Sequence, residues 1–330
     1  MAVGEQQTRE DEGGGDGEFE ADVGWRYTLG KIKQDTTARF GLYVIAVVTF
    51  VAVVTTIDAN LSRITLERYD DFALAESIWY HPERHPDPGE TERRMPPVFV
   101  DGGSWQHPLG TDRAGRDYIA RLVYGTRVSY FVGIVATTLG LVGGVIVGAV
   151  AGYYGGWIDD VLMRAVETLY AIPPLVLVIV FTVFVSGGNP DIVYAVFGVG
   201  IAFIPVFARL IRSRVLSVRE MDYVEAARAT GVKDRDIIRR HVIPNSFAPV
   251  LVLATLQIGV TILIVAGLSF LGYGAQPPTP DWGEMLRISH QYMHSDPWLS
   301  IWPGLAILVT IMGFNLFGDG LQDALDPRIK

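Results

Sequence analysis

The stretch "VSYFVGIVATTLGLVGGVIVGAVAG", Val128 to Gly152, contains no charged residue. It is long enough to cross a hydrocarbon core of roughly 30 Å as a helix. Only a helix can do so alone, because lipid offers backbone N–H and C=O groups no hydrogen-bond partner. Five further blocks match it: Phe40–Ile57, roughly Val166–Val185, Ile192–Ile211, Phe247–Gly272 and Trp298–Gly318. The block at Val166–Val185 is the least regular, since its uninterrupted apolar part is short and holds Pro173-Pro174. A soluble chain of 330 residues could make two domains. Core helices of such a chain do not come in six blocks this long and this poor in charge. The sequence therefore predicts an all-α polytopic membrane protein with six transmembrane helices.

The rest of the chain is arranged around these blocks. Residues 1–39 form an acidic tail, "EQQTREDEGGGDGEFEAD", and a basic flank; the tail carries much of the net charge of -9 and reads as disordered. It lacks the basic start and apolar core of a cleaved signal peptide. Residues 40–57 are the first membrane helix, 58–127 a long loop, 128–318 a five-helix core with a polar loop at 212–246, and 319–330 a short C-terminus. There is no cysteine, so neither disulfide nor thiolate chemistry is available.

Lys and Arg flanking membrane helices stay in the cytoplasm. Arg26, Lys31, Lys33 and Arg39 precede the first helix and place the N-terminus inside; six crossings return Arg328 and Lys330 to the same side. The loop after the fourth block is also inside and holds nine basic residues from Arg209 to Arg240. The loop Ser186–Asp191 has none, and Tyr273–Pro297 has only Arg287. Asp58–Arg127 falls outside despite nine arginines, because long loops are largely exempt from the rule.

Within the cytoplasmic loop, "EAARATGVKDRDIIRRHVIPN", Glu225 to Asn245, is charged between apolar neighbours. Asp222 is read as the N-cap of a short helix with Glu225 at the capping-box spacing. Gly231 suits the position past its end, where positive φ is needed. Asp234 is read as the cap of a second short helix, "RDIIRRHVI", and Pro244 as the start of the next membrane helix. Ala226 and Ala227 leave a shallow surface that a partner could approach closely. From the residues alone, docking and simple solvation both remain open.

The pattern Glu225, Ala226, Ala227, Gly231, His241, Pro244 resembles the EAA loop of permease subunits of ABC importers. His241 followed by "VIPN", ending at Asn245, resembles the peptide-permease branch. "HPLGTDRAGRDYIARLVYGTRVSY", His107 to Tyr130, and "GYYGGWIDDVLMR", Gly152 to Arg164, resemble the C-type subunit of dipeptide and oligopeptide permeases. The resemblance implies the type I ABC importer permease architecture. It also implies that the loop inserts coupling helices into an ATPase subunit. The partners implied are a B-type permease, two ABC ATPase subunits that bind ATP and Mg, an extracellular substrate-binding protein and membrane lipid; no nucleic acid is expected. The cargo implied is peptide, with nickel complexes or oligosaccharides carried by close relatives.

An enzyme is not indicated. A phosphate-binding P-loop needs Gly-Lys followed by Ser or Thr, but Gly30-Lys31 is followed by Ile32. No cofactor is expected in this chain. An ion-coupled secondary transporter would place ionisable groups mid-membrane, and the helix interiors hold almost none. Gln257 and Asn315 are the deepest polar side chains, read either as interhelical hydrogen bonds or as weak candidates for the substrate pathway. Two histidine pairs have the residue type of metal ligands. Pro82 breaks the register of His81 and His85, while His290 and His294 could share a helix face; no carboxylate set accompanies them, and no metal site is expected.

Two further expectations concern helices. Arg113–Arg127 reads as an amphipathic helix in the outer interface, capped by Thr111 or Asp112. Tyr118, Ile119, Leu122 and Val123 lie on one side of it, Arg116, Asp117 and Arg121 on another. Gly140, Gly144, Gly148 and Gly152 recur every four residues, with Gly156 following. They predict a packing seam against another helix of this chain or of a partner, with Gly133 and Gly143 off the stripe.

Overall fold

The computed structural model describes residues 25–64, 80–84, 86, 92–189 and 191–325. The acidic tail, His85, Arg328 and Lys330 lie outside them. Among the described residues five helices are long and apolar enough to cross a membrane, or six spans if one bent pair counts as a span. None of these residues forms a strand; only isolated bridges at Ser104–His107 and Thr111–Asp117 occur.

Helix α1 (Trp25–Gln34) meets α2 (Thr36–Ile64) at Asp35. The Asp35 carboxylate accepts hydrogen bonds from the Thr37 amide and hydroxyl, both at 2.7 Å, and so caps α2. Helix α3 (Tyr118–Tyr154) has 37 residues, about 55 Å at 1.5 Å per residue. That exceeds a hydrocarbon core, so α3 projects beyond it. The separate interfacial helix expected at Arg113–Arg127 is absent. The helix starts at Tyr118 and continues straight into the span, and its cap is Asp117, which accepts from the Ala120 amide at 2.8 Å, not Thr111 or Asp112. Arg116, Asp117 and Arg121, expected on a polar outer face, are buried.

Gly155 and Gly156, at φ +66° and +55°, end α3 and turn the chain into α4 (Gly156–Tyr170). Helix α5 (Pro174–Ser186) follows at 92° to α4. The block expected to span as one helix at Val166–Val185 is therefore broken. Pro173 and Pro174 lack the N–H groups that would continue α4, whereas Pro174 fits the first turn of a new helix.

Helix α6 (Ile192–Val218) is capped by Asp191. After it come α7 (Asp222–Ala229), α8 (Asp234–Ile237), a π-helical turn at Ile238–Val242, and α9 (Ile243–Phe270). Helix α10 (Trp282–Ser289) precedes the last helix, α11 (Trp298–Leu325). The main core lies where α3 and α6 meet α9, with Phe203, Phe207, Ile211, Val215, Val250 and Leu268 buried in it. Helix α2 packs on α11, and a Cβ at Gly41 would come within 2.6 Å of the Phe317 amide nitrogen. Phe40, Tyr43 and Phe50 of α2 point away from the bundle and are exposed.

Candidate functional site

The polar loop folds into a compact unit at one end of the bundle. Val224 of α7 and Ile237 of α8 are fully buried and join the main core beside Val218 and Val242. These apolar anchors leave the motif face outward: Glu225, Ala226, Gly231, Pro244 and Asn245 are exposed, and Ala227 and His241 are half-buried. The nearby apolar residues Met221, Tyr223 and Val232 of the same unit remain 49%, 44% and 39% exposed. The Tyr223 and His241 rings lie 6.3 Å apart and tie α7 to the π-helical turn.

Gly231 has φ +80°. Its amide donates to Arg228 O at 3.0 Å and the Val232 amide to Ala227 O at 3.2 Å, which is the paired ending that needs a left-handed residue after the helix. The two expected N-caps are not used. Met221 and Lys233 occupy the cap positions with no side-chain hydrogen bond. Asp222 and Asp234 instead sit in the first turns, where the helix dipole favours a carboxylate. The Asp234 carboxylate is also taken by Tyr153, whose hydroxyl donates to it at 2.7 Å.

Pro244 does not start a new helix. From Asp234 to Phe270 the helical path is unbroken, 37 residues long. The π-helical turn absorbs the proline, with the Ile243 amide reaching back to Ile238 O. A proline removes one helical donor and crowds the carbonyl four residues back, and a widened turn relieves both. Asn245 Nδ2 donates to His241 O at 2.6 Å, closing the turn from outside.

The glycine stripe meets α6, so its partner lies within this chain. A Cβ at Gly140 would lie 2.9 Å from Phe203 Cβ, one at Gly144 2.9 Å from Ile204 O, and one at Gly152 3.0 Å from Arg212 O. At Gly148 it would run into Ile211 Cγ2 and Ala208 O. Contacts advance by four residues on both helices together, so α3 and α6 run parallel. Gly156 lies past the bend with open space beside it. The off-stripe glycines are close-packed as well: a Cβ at Gly133 would sit 2.5 Å from Ile262 Cγ1 on α9, and one at Gly143 2.9 Å from Ile204 Cγ1 on α6. Gln257 is buried inside the bundle, whereas Asn315 is exposed on the α11 face that carries Leu305, Leu308 and Met312.

A family described as "Binding-protein-dependent transport system inner membrane component" matches residues 144–330, which include the motif unit and most of the seam. This chain belongs to that family. The dipeptide transport system permease protein DppC of Alkalihalophilus pseudofirmus is 45% identical to this permease over 231 residues, 70% of this chain and 75% of that one. The glutathione transport system permease protein GsiD of Pectobacterium atrosepticum is 43% identical over 230 residues, again 70% and 75%. Among solved structures, a chain of the MetNI methionine ABC transporter in inward-facing conformations superposes with a TM-score of 0.51 at 19% identity, covering 62% of this chain and 96% of that chain. That likeness concerns the fold alone. The permease is thus a multi-pass membrane protein of the ABC importer type.

At the end opposite the motif, the permease carries an ionic network that the sequence reading missed. Arg121 is 1% exposed and Glu284 fully buried, and they pair at 3.2 Å. Arg121 also donates to Pro82 O at 3.1 Å and Pro278 O at 3.2 Å and lies 3.4 Å from Asp112. Arg116 binds the same Asp112 carboxylate at 2.7 Å, and His107 Nδ1 lies 2.8 Å from Asp117. Asp281 caps α10 and accepts from Ser129 of α3 at 2.7 Å, while Trp282 Nε1 donates to Leu122 O at 3.0 Å. Burial pushes the Asp281 and Glu284 carboxyls above their ordinary range; for Glu284, Arg121, Arg116 and Arg287 pull the other way. The signal was present in "HPLGTDRAGRDYIAR", where Asp112–Arg116 and Asp117–Arg121 are each four residues apart, but spacing does not distinguish a buried pair from a solvated one.

The histidines are used as local hydrogen-bonding groups. His81 Nδ1 accepts from the Glu83 and Arg84 amides at 3.1 and 2.8 Å. His290 and His294 do not share a helix face, because α10 ends at Ser289 and His290 opens a 3-10 turn that closes at Tyr292. His290 Nδ1 contacts Arg287 O at 2.5 Å.

Proposed function

We propose that this permease is one of two unlike membrane subunits of an ATP-driven peptide importer and forms half of its translocation pathway. The observation that carries the reading is the 45% and 43% identity to permeases named for dipeptide and glutathione transport. Neither nickel complexes nor oligosaccharides are favoured by those names. The partners are a B-type permease, two ATPase subunits holding ATP and Mg, and an extracellular substrate-binding protein. Both termini and the motif unit face the cytoplasm, in keeping with the basic flanks. The ionic network then faces outward. Asn315, polar and exposed within a span, is the better pathway candidate of the two polar side chains.

The motif unit is the docking element. Its outward face is small at Ala226, includes exposed apolar residues and is mounted on buried Val224 and Ile237. A soluble ATPase could grip such a surface and move it as one body. Closure of the ATPases on ATP would drive the pathway open outward to accept peptide, and hydrolysis would reset it inward.

Gly231→Val tests the docking role. No atom lies within 4 Å of its Cβ position, so the substitution adds backbone strain without a clash. A β-branched residue at φ +80° is disfavoured by about 1–2 kcal/mol. The variant should reach the membrane and assemble but lose substrate-stimulated ATP hydrolysis by the complex; Gly231→Asn, which tolerates this conformation, should keep it. Stimulation unchanged in Gly231→Val would count against docking.

The absence of a P-loop lysine motif gives a second expectation. The purified permease alone should show no ATP turnover, and turnover should appear only when ATPase subunits are added. Hydrolysis that persists through purification and follows this chain would overturn the assignment of ATP to the partners.

A further inference from the structure

The loop from Arg219 to Asp234 is fastened to one turn of α3 at three points. At its entry, Arg219 Nη1 donates to Gly152 O at 2.9 Å and lies 3.5 Å from Tyr153 O. In its middle, the Arg228 guanidinium lies over the Tyr153 ring, 5.4 Å from the centroid. At its exit, the Tyr153 hydroxyl donates to Asp234 at 2.7 Å. Tyr153 itself is buried in the main core with Val215, Val218 and Val224. Immediately beyond it the chain bends at Gly155 and Gly156, both at positive φ. Past the bend, Arg212 of α6 grips Asp159 of α4 through Nε at 2.6 Å and Nη2 at 2.5 Å. A displacement of α7 and α8 that keeps these contacts carries Gly152–Tyr153 with it.

We infer that Tyr153 is the positioning residue through which movement of the motif unit enters α3, with the Arg212–Asp159 pair carrying it past the glycine bend into α4. This rests on the docking role of the motif. The ring, clamped between Arg228 and the core, supplies the stiff part of the lever. The hydroxyl–Asp234 bond supplies the catch, joining α3 to α8. If the bond is kept in one state of the pathway and lost in the other, it biases their ratio by about tenfold, the scale of one hydrogen bond to a charged group.

The test uses the complete importer in liposomes, reading peptide transported per ATP hydrolysed. Tyr153→Phe keeps the ring and removes only the hydroxyl. It should assemble normally and lower the transport-to-hydrolysis ratio by about tenfold. Asp234→Asn keeps an acceptor and should retain coupling, whereas Asp234→Ala should lose it. Tyr153→Phe with Asp234→Ala should be no worse than the poorer single variant, since both remove the same bond. A normal ratio in Tyr153→Phe overturns the inference. Loss of assembly in Tyr153→Phe also overturns it, because the hydroxyl would then be holding the fold rather than passing on movement. The docking role fails separately, if Gly231→Val keeps substrate-stimulated hydrolysis.

Discussion

Replacing Arg121 by methionine is expected to cost about 3–5 kcal/mol of stability, the scale of breaking a buried ion pair from one side. Methionine has a flexible, unbranched chain that fills much of the same space, so the loss comes mainly from charge and hydrogen bonds. Four partners are deprived at once: Glu284, Asp112, Pro82 O and Pro278 O. These belong to segments far apart in sequence, so the guanidinium joins the loop before α3, the turn before α10, and α10 itself. One oxygen of Glu284, Oε1, is buried without a hydrogen bond even in the intact protein, and Arg287 Nη2 lies 3.8 Å from it. Without Arg121 the carboxylate keeps its desolvation and loses its main counter-charge.

The comparison variant is Arg94→Met. Arg94 pairs with Asp296 at 2.7 Å, shorter than the Arg121 contacts, but its side chain is 42% exposed. Exposed pairs contribute about 0.2–1 kcal/mol. Distance alone would rank the two arginines the other way; burial reverses the order. Chemical unfolding of the purified permease in detergent checks this, with similar small shifts for both variants being the outcome that contradicts it. The deficit of Arg121→Met should also depend on pH. Burial already raises the Glu284 pKa, and removing Arg121 takes away a group that lowers it. The folded state then holds its proton more tightly than the unfolded chain, so the penalty grows as pH rises above about 4.3, the ordinary glutamate value. The gap between variant and parent should narrow as pH falls from neutral. A gap that widens would contradict the assignment to Glu284.

Lipid explains why so much was legible in the sequence. It demands long charge-free helices, so the blocks at Val128–Gly152, Ile192–Ile211, Phe247–Gly272 and Trp298–Gly318 were visible without tertiary information. Gly231 was legible because its backbone conformation is a local property. What failed depended on neighbours. Arg116, Asp117 and Arg121 fall on one side of a projected helix, and the same spacing suits a solvated face or a buried network. Asp222 and Asp234 have the residue type of caps, but Asp234 has a stronger claim on it from Tyr153, 81 positions away. Pro174 and Pro244 look alike as breakers. One begins a helix bent by 92° from its predecessor, while the other is absorbed in a π-helical turn of a continuous helix. Only the helices packed around each proline decide between these outcomes.

The glycine stripe was legible as a seam, though glycine records only that something comes close and not which helix it is. With α6 identified, Gly148→Ala becomes the sharpest single test. Two effects of opposite sign compete. Glycine to alanine in a helix interior favours the helix by about 1 kcal/mol. Against that, the new methyl at Gly148 meets the Ala208 carbonyl and Ile211 Cγ2, on a helix whose Ala208 and Ile211 are fully buried. Backbone cannot step aside as a side-chain end can, and overpacking of this kind costs about 1–3 kcal/mol, occasionally more. The clash should therefore win. Gly144→Ala meets Phe207 and the Ile204 carbonyl and should behave alike, and the double variant should lose assembly. Gly304→Ala on α11 has no atom within 4 Å of the added carbon, so propensity alone acts there and the permease should be unchanged or slightly more stable. Gly133 cannot serve as the control, because Ile262 fills the space beside it. Thermal unfolding and recovery of the assembled importer would separate the cases. If Gly148→Ala and Gly304→Ala shift stability in the same direction, the close approach of α3 to α6 is not what holds this bundle together.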